Sequence, residues 1–318
     1  MSSKQNENVW KNHVARIALN TVTHPVEYAK VLIQIGYEPV PPKPSTTFFG
    51  KPALKLPNVF QYVKYIKSVD GVVGCYRGIV PKLCGNVVSV LACHKVLETL
   101  ELTTDVNEDE SGEDTEHTDG QEMSDEEREK EKFIKGLKRD IISRFTAIIV
   151  SHPFHVITIR MMAQFVGREM KYNGMFGSVV QIYKENGVFG FFSGLIPRLL
   201  GDILSILLAN TLTYAVNTYV VEEAELKMYS SATLSFLASA LTYPFQVVST
   251  SMAVTNSGLM AGSPPYMPIY TSWLDCWSNL SEANQLKRGS SLLMRYYTGP
   301  QVVISGKAMP LSKNQFKF

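Results

Sequence analysis

At 318 residues the chain is long enough for one large domain or two ordinary ones, and 45% of it is hydrophobic. Its formal net charge of +2 conceals a division, because residues 105–131 hold fourteen acidic and two basic side chains and leave +14 on the remainder. A basic remainder suits an anionic membrane surface, and without Lys/Arg runs interleaved with aromatics it excludes a nucleic-acid binder.

The first membrane segment is expected over residues 10–36. His13, Arg16, Asn20, Thr23, Glu27, Lys30 and Gln34 recur at alternating steps of three and four, which is one helix face, polar from end to end. The other faces carry Ile17, Leu19, Val22, Val26, Val31, Leu32 and Ile33. A mostly apolar helix with one narrow polar stripe is inverted relative to a water-soluble one, and about 22 residues span roughly 33 Å, close to a bilayer's hydrocarbon thickness. Residues 36–57 hold six prolines, so a non-helical loop is expected there. A surface helix follows at 58–68, with Val59, Phe60, Val63 and Ile66 on one side. Pro81 then opens a second membrane segment to about Leu102, whose stripe is Lys82, Asn86, Ser89 and Cys93.

The acidic stretch is expected to be disordered on its charge content. A third membrane segment, 134–166, repeats the first, and a second surface helix is expected at 173–186. The fourth segment, about 190–221, has 19 uncharged residues from Ile203 to Val221, and the fifth, about 228–256, has no charged residue. A loop at 257–268 and a surface helix at 270–283 come next. Residues 284–318 hold six basic and no acidic side chains and no apolar run long enough to span a membrane, so a sixth segment is expected to be absent or rudimentary.

Internal repetition organises these elements. The polar stripe returns around Pro153 as Arg144, Ser151, His155 and Thr158, and around Pro244 as Ser235, Ser239, Thr242, Gln246 and Ser249. Thr23-His24-Pro25, Ser151-His152-Pro153 and Thr242-Tyr243-Pro244 rhyme, and the stretch Asp70–Leu83 pairs with Asn186–Leu199, each with a Gly and a Pro in register. The expected divisions are repeat one at 1–102, the acidic linker at 103–132, repeat two at 133–224, a truncated repeat three at 225–286 and a basic tail at 287–318.

Pro25-Val26-Glu27-Tyr28-Ala29-Lys30, a Pro-x-acid-x-x-base element, followed by Tyr76-Arg77-Gly78, resembles the mitochondrial carrier family. The segments from Lys30 to Pro39, His152 to Thr158, Pro197 to Leu204 and Pro264 to Trp277 are similar to a divergent outer-membrane branch of it. The resemblance implies an all-α membrane protein, a three-repeat helical bundle here lacking the sixth transmembrane helix, with Pro25, Pro153 and Pro244 as the carrier-motif prolines. For solute transport the family needs three acid–base pairs to close one end. Only Glu27 and Lys30 supply such a pair; the second repeat offers His155 and Thr158 and the third Gln246 and Ser249. Ordinary alternating access is therefore not expected.

The lumen-facing positions have nevertheless stayed polar. The expected groove is Arg16, Asn20, Glu27, Lys30, Gln34, Arg144, His155, Arg198, Asp202, Asn210, Tyr243 and Gln246, with Glu27–Lys30 and Arg198–Asp202 as expected pairs. Arg160 lies off the stripe. The resemblance implies an insertase of the mitochondrial outer membrane for tail-anchored and other α-helical proteins, multi-pass, with lipid scrambling as a related activity and membrane lipids and hydrophobic clients as partners. The competing readings are a solute carrier of the inner membrane and a receptor for apoptotic or metabolic regulators, the latter using the acidic linker and basic tail. No phosphate loop and no Ser/His/Asp or Cys/His set points to an enzyme. Four cysteines without CxxC spacing point to no metal, and no cofactor is expected.

Overall fold

The computed structural model describes residues 2–47, 49–110, 125–220, 223–304 and 307–310, with side chains of the first helix described from Ile17 onward. Its elements are α1 (Ser2–Gln34), strands β1 (Lys43–Thr46) and β2 (Pro52–Leu56), α2 (Val59–Gly74), α3 (Ile79–Glu110), α4 (Asp125–Ala163), α5 (Gly174–Asn186), α6 (Leu195–Tyr219), α7 (Ala224–Val254), α8 (Trp273–Glu282) and strands β3 (Arg295–Tyr296), β4 (Gln301–Ile304) and β5 (Lys307–Pro310). Pro25, Pro153 and Pro244 each fall inside a long helix, α1, α4 and α7, as the threefold rhyme requires. Three stretches are long and apolar enough to cross a membrane: Ile79–Leu100, Glu127–Ala163 and Val188–Tyr219. Among the described residues α1 and α7 fall short of that hydropathy, because the polar stripe of α1 and the Ser/Thr content of α7 dilute their apolar faces.

Two compact units result: Met1–Cys84, Phe154–Gly194 and Val247–Phe318 form the first, Gly85–Pro153 and Leu195–Gln246 the second. The first holds most of the buried core. Tyr28, Leu32 and Ile33 of α1, Tyr62 and Ile66 of α2, Val156, Ile159 and Met162 of α4, and Val247 and Val248 of α7 are all at most 1% exposed. Phe165 sits edge-on to Tyr28, Tyr37 and Tyr65 with ring centroids about 6 Å apart, the favoured aromatic geometry. The second unit buries Ala147, Ile148 and Ala238 but leaves Leu91, Val150, Leu200, Phe236 and Leu241 exposed, as lipid-facing residues are.

One expectation is corrected, and two further segments gain definition. The Pro-rich stretch is a β-hairpin, registered from Lys43 opposite Lys55 to Thr46 opposite Pro52. Pro44 lies on the edge strand and Pro52 opens its strand, where a missing N–H costs least, while Ala53, Leu54 and Leu56 turn inward. The start of the basic tail is paired: Lys55 and Leu56 pair with Tyr296 and Arg295, and Arg295 is bonded to Glu38 and to the Pro57 carbonyl. Finally, α3 continues to Glu110 and α4 begins at Asp125, so both described flanks of the acidic linker are helical, supported at α4 by an i,i+4 pair of Glu131 with Lys135 at 3.0 Å; residues 111–124 lie outside the described ones.

Caps explain the surface helices. Asn58 and Gln61 form a reciprocal capping box at the start of α2, and Ser272 accepts from the Asp275 N–H at the start of α8. Gly78 and Gly194, equivalent in the repeat, both have left-handed backbones, φ +81° and +78°. Each also lets a neighbouring helix approach: Gly78 packs on the Thr158 carbonyl of α4, and Gly194 on the Ser249 carbonyl of α7. Gly194→Ala adds a strained backbone and a clash with a carbonyl, and is expected to cost about 2–4 kcal/mol. Gly136→Ala, in open space on α4, is expected to raise stability by up to about 1 kcal/mol. Thermal unfolding in a neutral detergent, with Gly136→Ala as the control, checks both.

Candidate functional site

Charged groups in apolar helices are costly unless they find partners or water. In the first unit Glu27 of α1 is bonded by Lys82 at the start of α3, so the one complete acid–base motif is tied across helices by a cation from the second-segment stripe. His24, fully buried, donates from Nε2 to the Arg77 carbonyl at 3.0 Å, and Arg77 itself holds Asp70 at 2.8 Å. The histidine preceding the first carrier proline thus fastens α1 to the Tyr76-Arg77-Gly78 turn. At the motif's base position the second and third repeats carry hydroxyls that serve packing. Thr158 donates to its own helix at the Phe154 carbonyl (2.8 Å), and Ser249 donates to the Gly194 carbonyl (2.8 Å).

Sequence reasoning missed the Gly turn of the third repeat. Gly289 has φ +79°, as its counterparts do, and Arg288 before it bonds the Gln34 carbonyl of α1, Ser251 of α7 (3.0 Å) and Gln285 (2.9 Å). Lys287 stands where the first repeat has an aromatic residue, and the spacing from the surface helix is altered. The recognisable signal was the dipeptide Arg288-Gly289 following a short amphipathic helix.

Arg160, which lies off the stripe, is fully buried, the most buried Arg or Lys among the described residues of the first unit. Its Nε donates to the Ala253 carbonyl at 3.0 Å and its Nη1 to Asn186 at 2.9 Å, with the Tyr172 hydroxyl at 3.4 Å and Glu185 at 3.9 Å. Glu185 in turn accepts from the Tyr172 hydroxyl (2.6 Å) and Gln181 (2.6 Å) and pairs with Lys171 at 2.5 Å. The ends of α4, α5 and α7 are joined through this one network.

The second unit carries a polar seam. Asp202 of α6 pairs with Arg144 of α4 at 3.5 Å, and Arg198 donates to His152 Nδ1 at 3.4 Å. The expected i,i+4 pair of Arg198 with Asp202 is therefore replaced by two contacts to α4, since each side chain finds a partner on the facing helix. Further along α6, Ser205 meets Ser239 of α7 at 3.5 Å and Asn210 donates to Asp140 at 3.4 Å. Asp140, one turn before Arg144, was unrecognised because it ends a charge-rich run; its i,i+4 spacing from Arg144 was the available signal. The Arg144 and Asp202 side chains remain 48% and 32% exposed, although both lie in stretches able to span a membrane.

The expected groove residues divide between the units. Asn20, Glu27, Lys30, Gln34 and His155 belong to the first; Arg144, Arg198, Asp202, Asn210, Tyr243 and Gln246 belong to the second. Arg16 lies on α1, and its side chain is outside the described residues. Gln34 is a correction: it is 3% exposed and accepts from Thr250 at 3.3 Å, so it packs helix against helix and faces no opening. Asn20, Lys30, His155 and Tyr243 are half-buried, and Gln246 is exposed.

The buried network yields a pH test. Burial alone would raise the Glu185 carboxyl, but Lys171, Tyr172 and Gln181 together hold it below its usual range. A depressed folded value means the network's contribution is present above the unfolded value, about pH 4.3, and is lost as pH falls through the lower folded value. Unfolding midpoints measured from about pH 7 down to about pH 3 are expected to fall more steeply for the native protein than for Glu185→Gln, the two curves converging at the acid end.

Comparison with known proteins agrees with the repeat architecture. The mitochondrial carrier protein family profile matches residues 12–104 and 130–224. Mitochondrial carrier homolog 2 of Mus musculus is 46% identical over 282 residues, covering 87% of this chain and 90% of the relative. The Homo sapiens homolog 2 is 45% identical over the same shares. Mitochondrial carrier homolog 1 of Mus musculus is 37% identical over 302 residues, 87% of this chain and 74% of the relative. With its repeated proline-containing helices, its Gly78 and Gly194 turns and its membrane-length spans, this chain belongs to the mitochondrial carrier family and is a mitochondrial membrane protein.

Proposed function

We propose that the protein is an insertase of the mitochondrial outer membrane for tail-anchored and other α-helical proteins, with lipid scrambling as a second use of the same polar path. The observation that carries this reading is the seam on α6: Arg198, Asp202, Ser205 and Asn210 run along a helix otherwise apolar and mostly half-buried, and the Arg144–Asp202 pair is left partly open. A charged residue at the bilayer centre costs about 2.5–3.5 kcal/mol on insertion scales. A helix lined with hydrogen-bonding and charged groups lowers that cost for the short polar end of a client, while the client's apolar part partitions into lipid. Phospholipid headgroups meet the same chemistry.

Two further features favour this over solute exchange. Thr158 and Ser249 occupy the base positions of motifs two and three and are spent on packing, which leaves Glu27 and Lys30 as the one charged motif pair. After the Gly78 and Gly194 turns the chain enters the long helices α3 and α6, whereas after the Gly289 turn it enters strands β3, β4 and β5. Among the described residues no membrane-length helix follows the Gly289 turn, and we infer a side open to lipid there, the geometry a laterally released client needs.

The test uses purified protein in liposomes, with a tail-anchored substrate delivered by a soluble chaperone and insertion scored by protease protection. Native protein is expected to insert above empty liposomes, and Lys30→Glu and Asp202→Arg are each expected to slow insertion by about tenfold, a change of about 1.4 kcal/mol in the barrier. Rates unaltered by either charge reversal would refute the role of these residues, and no gain over empty liposomes would point to solute exchange or partner recruitment instead.

A further inference from the structure

The first unit contains a cavity of about 580 Å³ walled by the end of α1, by α8 and by the segment that follows α8. That size lies within the range of small-molecule sites, about 300–1,000 Å³. We propose that it binds an anionic amphiphile, a phosphate or carboxylate head on an apolar chain. The proposal is independent of insertion, because none of the seam residues lines the cavity.

Chemistry of the wall sets the ligand class. Ile33, Met267 and Leu280 contribute apolar surface and are themselves at most 2% exposed, so the floor is part of the packed core. The charged residues of the wall are Lys287, Arg288, Arg295 and Glu38, three cations against one carboxylate, and Arg295 already holds that carboxylate. A cation entering this space is repelled, and an anion is attracted. Tyr266 and Tyr297 add ring faces with hydroxyl tips, suited to the boundary between a head and a chain. A small inorganic anion would use the cations and leave the apolar floor wet; a neutral hydrocarbon would gain nothing from the excess positive charge of the wall. An anionic amphiphile satisfies both halves.

The walls are held in place without a ligand. Arg288 is fixed to α1 and α7 as described, and Arg295 donates to the Pro57 carbonyl at 2.9 Å. Backbone bonds from Tyr297 to Leu54 and from Val59 to Leu292, both 2.8 Å, fasten the following segment to the hairpin and to α2. A preformed site avoids the ordering cost that weakens flexible ones.

Equilibrium dialysis of the full-length protein in a neutral maltoside detergent, with radiolabelled dodecyl phosphate as probe, tests the proposal. One saturable site per chain is expected. Inorganic phosphate and dodecyltrimethylammonium are each expected to compete at least about tenfold more weakly. Lys287→Glu, at an exposed rim position, is expected to weaken binding by about tenfold or more, and Ala283→Trp, which fills the cavity, to abolish it, with unfolding midpoints of both variants retained. Competition by dioleoyl phosphatidic acid would assign the ligand to bilayer lipid, and its failure would assign it to a single-chain amphiphile; both outcomes support the site. Binding unchanged in the two variants, or matched by dodecyltrimethylammonium, would mean partition into micelles and overturn the proposal. Inorganic phosphate binding as tightly as dodecyl phosphate would overturn the amphiphile assignment.

Discussion

A charge placed in an apolar helix must be compensated, and for Glu27, Asp202 and Arg160 the compensation comes from another helix. Lys82 holds Glu27, Arg144 holds Asp202, and Arg160 reaches Asn186, the Ala253 carbonyl and the Glu185 network. An i,i+3 or i,i+4 pair within one helix secures only that helix, for about 0.2–0.5 kcal/mol. A pair between helices also sets their spacing, and losing one partner leaves a costly buried charge. Polar residues here therefore do structural duty and, where left half-exposed, offer chemistry to whatever shares the membrane.

The repeat determines which polar residues take which duty. At the motif base position Lys30 is charged, whereas Thr158 and Ser249 have been turned to packing on the glycine turns at 78 and 194. The third turn, at Gly289, keeps its clamp through Arg288 but leads into strands. On the proposed reading, a framework with one charged motif pair and a polar seam on α6 offers a path whose polarity is constantly available.

Much of this was legible in the residues. Helical periodicity and the proline rhyme located α1, α4 and α7, and the cap-like Asn58 and Ser272 lie within a residue or two of the surface helices' expected starts. The hairpin was hidden because six prolines mask an inward Ala53, Leu54 and Leu56 whose burial comes from tertiary packing. Partner choice was harder still. Arg198 stands four residues before Asp202, a spacing that predicts a local pair, yet both turn to α4, and no single-helix pattern encodes which residue the facing helix presents. Gln34 continued the stripe in register but lies where α1 meets α7, so periodicity placed its face correctly and could not reveal what covered it.

The account rests on the α6 seam being wet within the bilayer. Single cysteines at Ser205, Asn210 and Leu204, in a background with Cys75, Cys84, Cys93 and Cys276 replaced, can be tested with a membrane-impermeant thiol reagent in liposomes. Labelling at Ser205 and Asn210 at least about tenfold faster than at Leu204 is expected, because only a water-exposed thiol ionises and reacts. Equal, slow labelling at all three positions would mean the seam is sealed from water, and would contradict the polar path.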